Sequence, residues 1–543
     1  MVFRTIATTA AILVGLALTG AVAGPQWDPV PVSDHLVPAT ADTSIHGVDP
    51  AVADQIGDVG QYEVRETPVT VPLDGTQVGG LLRQPVDARG EILADRPGVV
   101  YVHGAGTGKS TQAFRESATA LASAGVVTLV PDKRLDTYTT RDRDYVAMAG
   151  DYGRSVDLLR TIDGVDPQHV GVYGESEGTW IVPVMQAQDP GIAFTILVSA
   201  PVVPPRQQAA FAVDSYLRNT GVPEQVFRAI PRAVGMQLPG GGFEYADFDV
   251  RPWLEQQTAP VLVVYGTADP SMPVEQGARE IIADTAVGGD QAPTTVRFYA
   301  GANHGINVPT PVADGGTEYH LHPDFARDAA TWVQGMPGTA DADPRVAGDR
   351  PNQLYLASAV PQPRWWGNGD IVVGAVLAGL GLLVLGPLVW AVHAVVRRLV
   401  RPRSLAPAPR LARGLGPALA GLGVGSVATM VALVAYLLAV ARLALDYERD
   451  DLVVQGGWVG VRLLGVATAV AGALVVRRIA DARSARQAEA ATAGGAAGAG
   501  AQEVTGVVVA RGWPAHLTFW CVVAGSLALL LTLAYWGVYQ LGI

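Results

Sequence analysis

The 543-residue sequence holds a single cysteine, Cys521, inside an apolar run. No intrachain disulfide and no cysteine zinc site can form. A domain this large can bury an adequate core without such staples, so their lack does not fix the compartment. Lysine is almost absent too: Lys109 and Lys133 are the only two, and arginine supplies the remaining positive charge. Residues 24–363 carry 22 Lys and Arg against 42 Asp and Glu. That deficit excludes nucleic acid as a partner of this part, because phosphate binding needs a basic face. Residues 364–543 reverse the balance, with 15 basic against 8 acidic residues.

Hydrophobic residues are plentiful, at 49%, and they gather at the two ends. Arg4, the apolar residues 5–20 and the small-residue pattern Ala21-Val22-Ala23 have the layout of a secretory signal over residues 1–23. An uncleaved anchor is the alternative, and both readings export the chain beyond residue 23. Four C-terminal runs, about 371–396, 416–445, 457–476 and 517–541, are each long enough to cross a bilayer. The loops 397–415 and 477–516 are rich in arginine, whereas the short loop between the second and third runs holds Asp446, Glu448, Asp450 and Asp451 against Arg449. The positive-inside rule then places both arginine-rich loops in the cytoplasm and the 24–363 region outside. Trp365 and Trp366 precede the first run, where an interfacial aromatic belt would lie. Arg442 and Arg462 fall near the outer ends of their runs, where long cations snorkel to the surface. The expectation is a multi-pass protein of the cell membrane with its globular domain extracytoplasmic, and with the lipid bilayer as one partner.

The middle of the chain alternates strand-like and helix-like segments, the pattern of a mostly parallel sheet covered by helices. Strands are expected at 78–83, 98–103, 126–130, 170–174, 194–199, 260–266 and 294–299. Helices are expected at 111–124, 144–162, 177–188, 275–285 and 323–335. Residues 201–255 interrupt the alternation and read as a cap inserted over the sheet. Residues 24–61 read as an N-terminal extension, 62–336 as the α/β domain, and 337–370, rich in Pro, Gly and Asp at its start, as a linker. The Ala/Gly-rich stretch 487–502 reads as a flexible loop.

Chemistry enters with Gly174-Glu175-Ser176-Glu177-Gly178, which follows an apolar strand and precedes a helix. In that context G-x-S-x-G is a nucleophile elbow, a turn so tight that the residues two before and two after the serine must be small. A serine hydroxyl needs a positioned base, itself oriented by a carboxylate. Asp269 and His304 each follow a strand, in the order Ser, Asp, His, and are the expected catalytic partners. Rival bases are His320 and His322, and rival acids are Asp284 and Asp290. All four lie beside helices instead. The oxyanion hole should use the backbone N–H of Glu177 and that of Ala105, in the loop His103-Gly104-Ala105-Gly106. His103 is expected to be structural. Gly108-Lys109-Ser110 imitates the end of a phosphate-binding loop, but the first glycine of G-x-x-x-x-G-K-[ST] would fall on His103. No metal and no cofactor are expected.

Five segments together resemble a known family: Tyr101-Val102-His103-Gly104-Ala105-Gly106, Pro131-Asp132-Lys133-Arg134, the elbow, Gly266-Thr267-Ala268-Asp269, and Asn303-His304-Gly305. They look like the bacterial α/β hydrolases near the dienelactone hydrolase, prolyl oligopeptidase and acyl-thioesterase branches. The resemblance covers about 62–336. It implies the α/β-hydrolase fold and hydrolysis of an ester, thioester or peptide bond in a small-molecule or lipid-like acyl substrate, through an acyl-enzyme. Two positions depart from the pattern. Thr179 stands where those relatives often have a second glycine, and Leu135 follows Asp132-Lys133-Arg134 in place of the usual glycine. The resemblance does not extend to the apolar tail. The competing readings are a prolyl-oligopeptidase-type peptidase, and a non-catalytic receptor or transport-associated protein on the same fold.

Overall fold

Runs of Val, Ile, Leu and Tyr with no polar interruption are what strands buried on both faces require. In the computed structural model such runs form the centre of a nine-stranded sheet. The structure describes residues 2–25, 27–226, 234, 240–287, 292–312, 315–399, 408–446, 448–494 and 509–540. The strands are β1 (Glu63–Leu73), β2 (Thr76–Val86), β3 (Arg96–Val102), β4 (Val127–Pro131), β5 (Val165–Glu175), β6 (Thr195–Val198), β7 (Val261–Gly266) and β8 (Thr294–Tyr299). A small separate hairpin, β9 (Asn307–Pro311) with β10 (Thr317–Leu321), comes next, and then β11 (Val346–Gly348). The sheet order is β1-β2-β4-β3-β5-β6-β7-β8-β11. The β1–β2 and β2–β4 pairs are antiparallel and the others parallel. This is the α/β-hydrolase fold.

Alternation along the strands sorts the core into two layers, since successive side chains point to opposite faces. Val100, Val102, Val172, Leu197, Val261 and Val263 join one buried cluster. Val99, Tyr101, Tyr173, Ile196, Val198, Leu262 and Val264 join another. The flanking helices are Arg115–Ser123, Tyr145–Leu159, Gly178–Gln188, Val274–Asp284 and Pro323–Gln334, one for each helix expected. Asp144 caps the second of them by accepting the N–H groups of Val146 and Ala147.

The chain divides into two compact units. One comprises Asp28–Ala212 and Gly241–Val360, and holds the sheet. Its bounds correct two expectations. The linker does not begin at 337, because β11 extends the sheet beside β8 and Gln353 donates its backbone N–H to Glu275. The extension 24–61 is largely built in as well: Arg297 donates to the carbonyl of Thr43, and the Leu36 N–H is held by Glu275.

The second unit comprises Met1–Trp27, Val213–Gly240 and Pro361–Ile543. Among the described residues, five of its helices are long and apolar enough to cross a membrane: Val2–Ala23, Gly369–Leu399, Leu415–Leu445, Leu452–Ala488 and Trp513–Tyr535. The third of the expected tail runs is longer than its apolar residues suggest: the helix Gly457–Gly494 continues through Arg477, Arg478, Arg483 and Arg486, into the stretch expected to be a flexible loop. Residues 495–508 lie outside the described residues. Small residues let these helices approach closely, as packing in an apolar medium demands. A Cβ on Gly525 would stand 2.6 Å from the carbonyl oxygen of Gly379, and one on Gly425 would stand 2.6 Å from Thr468 Oγ1. The N-terminal helix joins the same cluster through Leu16, and Trp366 donates its indole N–H to the Ala23 carbonyl at 3.1 Å. The segment expected to be a cap is therefore divided. Its described residues 213–226, 234 and 240 group with the helices, with Leu217 and Val226 buried there, while 201–212 and 241–255 group with the sheet.

Candidate active site

The site begins where β5 ends. Ser176 has φ of +55°, a conformation that costs a non-glycine residue energy and is held only when its surroundings impose it. Those surroundings are tight. A Cβ on Gly178 would lie 2.5 Å from the Val102 carbonyl oxygen, and one on Gly174 would lie 2.7 Å from Val182. The Ser176 N–H donates to the Val198 carbonyl at 3.0 Å. Its own carbonyl accepts from the Thr179 N–H at 2.9 Å and the Thr179 hydroxyl at 2.7 Å. Thr179, one of the departures from the family pattern, thus braces the turn.

Asp269 and His304 arrive from the loops after β7 and β8. Those loops touch through backbone: the N–H of Ala268 donates to the Ala302 carbonyl at 2.9 Å, and Gly266 has no room for a Cβ there. The contact brings His304 Nδ1 to 2.8 Å from Asp269 Oδ2. Asp269 is buried. Burial pushes its carboxyl up, but His304 and Ser271 outweigh that and hold it below the ordinary range. Burial pushes the His304 imidazole down, yet the adjacent Asp269 carboxylate prevails and raises it. Among the described residues Ser176 Oγ has no hydrogen bond to His304, a contact that commonly tightens only once substrate binds.

Two supporting residues escaped the sequence reading. Ser271 gives its hydroxyl to Asp269 Oδ1 at 2.6 Å and its backbone N–H to the same oxygen at 2.9 Å. Ser199 donates to the His304 carbonyl at 2.8 Å. The first was detectable, since a carboxylate that accepts the N–H two residues on is the habit of Asp at a turn. The second joins positions 105 residues apart and leaves no local mark.

The expected oxyanion donors flank the serine. A Cβ on Gly104 would be 3.3 Å from Ser176 Cβ, so the loop after β3 lies against the nucleophile. Among the described residues neither the Ala105 nor the Glu177 backbone N–H has an acceptor. The Glu177 side chain is buried and meets Lys133 Nζ at 2.9 Å, Arg143 Nη1 at 2.5 Å, Tyr138 Oη at 2.9 Å and Tyr145 Oη at 3.3 Å. No local pattern announced this cluster.

The rivals are occupied elsewhere. His103 is buried, with Nε2 2.6 Å from the Pro131 carbonyl and Nδ1 3.1 Å from Thr107, and burial drives its pKa down to about 4. Lys109 Nζ lies 3.0 Å from Asp132, and Ser110 donates both its N–H and its hydroxyl to the same carboxylate. His322 accepts the Asp324 N–H at the start of the helix Pro323–Gln334, and His320 pairs with Glu116 and Glu318. Asp284 ends the helix Val274–Asp284, and Asp290 lies outside the described residues.

No protein-family model matches the sequence, and no curated protein matches it. Solved structures do. A protein described as a dipeptidyl aminopeptidase IV, from Bacteroides ovatus, is 16% identical over 45% of this chain and 33% of its own, with a TM-score of 0.32. This chain therefore spans about a third of its length. A hyperthermophilic esterase from Pyrobaculum calidifontis is 18% identical over 51% of this chain and 85% of its own, with a TM-score of 0.36. A dienelactone hydrolase from Anabaena variabilis is 18% identical over 45% and 89%, with a TM-score of 0.30.

Proposed function

We propose that this chain of α/β-hydrolase fold is a membrane-anchored serine hydrolase that cleaves an ester or related acyl bond outside the cytoplasm. The observation that carries the reading is the strained Ser176 on its glycine-bounded turn, in one compact unit with the 2.8 Å Asp269–His304 pair. Ser176 Oγ attacks the acyl carbon and gives its proton to His304 Nε2, while the Nδ1–H stays on Asp269. The Ala105 and Glu177 N–H groups receive the negative charge that develops on the carbonyl oxygen. Collapse expels the alcohol, which takes the proton from His304. Water activated by the same imidazole then attacks the acyl-enzyme, releases the acid and restores Ser176. No step needs a cofactor or metal. The test is turnover by the full chain in detergent against ester, thioester and dipeptide panels. Turnover of esters that disappears in Ser176→Ala supports the reading, whereas equal turnover by that variant rejects it.

Export and anchoring rest on the arginine-rich loops and the apolar helices. The N-terminal helix directs export whether or not it is cut. Its place in the helical unit, with Gly20 against the Ala534 carbonyl, favours its retention as a fifth span. Reporters fused after residue 360 and after residue 490 should report opposite sides of the membrane. Finding both on one side would reject the topology.

A further inference from the structure

We propose that Lys133 is a positioning residue that sets both oxyanion-binding amides at once. The inference deepens the serine hydrolase reading and rests on it.

Lys133 follows β4 and is buried, 4% exposed. Its Nζ donates at 2.7 Å to the Gly104 carbonyl and at 2.9 Å to Glu177 Oε2, and lies 4.3 Å from the centre of the Tyr138 ring. The Gly104 carbonyl and the Ala105 N–H are the two ends of one planar peptide group. Fixing the oxygen therefore fixes the direction of the N–H. An ammonium on the oxygen also draws electron density away from nitrogen, which makes that N–H a stronger donor, as happens when hydrogen bonds polarise one another in a low-dielectric site. On the other side, Glu177 carries the second N–H. Its carboxylate is held by Lys133, Arg143, Tyr138 and Tyr145, so the residue has no freedom to turn that N–H aside. The backbone of Lys133 is tied to the same loop through the Gly108 carbonyl, at 2.9 Å.

A buried ion pair is a weak source of stability, because well-packed apolar side chains of equal volume avoid the desolvation of both charges. One ammonium bridging two loops that must keep a fixed spacing does something an apolar side chain cannot. Oxyanion stabilisation depends on donors placed before the charge develops, so the role of Lys133 is to preorganise them.

The test uses the full chain in detergent, with p-nitrophenyl acetate as substrate and a trifluoromethyl ketone as an inhibitor whose serine adduct carries an oxyanion. Lys133→Met removes the bridge but leaves Glu177 facing Arg143 with one cation fewer. Lys133→Met combined with Glu177→Gln removes the Lys133–Glu177 pair together and leaves Arg143 a neutral side-chain amide oxygen to donate to. The expected result is that kcat falls roughly 10- to 100-fold in both variants while KM moves less than about twofold, with the ketone weakened by the same factor as kcat. A merely structural ion pair predicts instead that the double variant regains the wild-type kcat. That recovery, or an unchanged kcat in Lys133→Met, would overturn the proposal while a wild type still labelled at Ser176 by a fluorophosphonate keeps the hydrolase reading intact. A wild type that takes no label at Ser176 overturns both.

Discussion

The two units differ in where their backbone strain lies and in the polar groups they bury. Among the described residues of the sheet unit six non-glycine residues have positive φ: Asp95, Phe114, Ser176, Ser199, Val202 and Ile306. Ser176 is the proposed nucleophile, Ser199 holds the His304 carbonyl, and Ile306 lies two residues beyond that histidine. In the helical unit, among the described residues, positive φ falls on glycines alone, such as Gly414, Gly512 and Gly537. Buried charge is not divided so sharply, since the helical unit buries Asp214 beside Arg218. The sheet unit buries Asp269 with His304, and Glu177 with Lys133 and Arg143. In the helical unit the hydroxyls of Ser426, Thr429, Thr468 and Thr532 return to carbonyls one turn back in their own helices. Arg442 is exposed beside Asp446 at the end of its helix. Three of the six strained positions, Ser176, Ser199 and Ile306, lie at or beside the proposed site, where the surroundings must impose a geometry. The helical unit has the features of a scaffold in an apolar medium.

That contrast can be broken by substitution. The largest effect is expected from Asp269→Asn, which removes the charge that raises His304 and disturbs its tautomer. Turnover should drop on the order of 10⁴-fold with the fold intact. The pH profile should also move in a definite direction. His304 must be neutral to accept the serine proton, so activity rises as pH climbs through its pKa, which Asp269 holds above the ordinary value of 6.5. In the residual activity of Asp269→Asn that acid limb should shift to lower pH. An unshifted limb would mean that another group controls it.

Next in size is Gly178→Ala. Its methyl would meet the Val102 carbonyl at 2.5 Å, so the elbow must move. A loss of about 1–3 kcal/mol in stability, seen in denaturant midpoints, should accompany a fall in ester turnover. Wild-type behaviour would show that the turn has room for a methyl group after all. The smallest effect should come from Thr468→Val in the helical unit, where the Thr429 hydroxyl lies 3.2 Å away. Hydrogen bonds between membrane helices average about 0.6 kcal/mol, so thermal stability should shift slightly and ester turnover should not change. A strong loss of turnover would give that unit a part in catalysis.

The strands, the flanking helices and the three candidate site residues each rest on a local signal: a continuous apolar run, the end of a strand, or glycines two before and two after a serine. What the sequence hid is non-local. Lys133 and Glu177 are 44 residues apart, and nothing in either segment marks them as partners. β11 has only three residues, in a stretch whose Pro, Gly and Asp read as linker, and it becomes a strand because the exposed edge of β8 offers it hydrogen bonds. The N-terminal helix has the same composition whether it is discarded or retained, so its sequence does not distinguish the two. Ser271 lay within reach, because an Asp at a turn commonly accepts the N–H two residues on.

The central claim is that Ser176 is a nucleophile activated by His304. It is tested most directly by incubating the full chain in detergent with a fluorophosphonate and measuring the adduct by peptide mass spectrometry. One adduct is expected, on the peptide carrying Ser176, forming far more slowly in His304→Ala and absent in Ser176→Ala. An adduct on another residue, or labelling of Ser176→Ala at the wild-type rate, would contradict it.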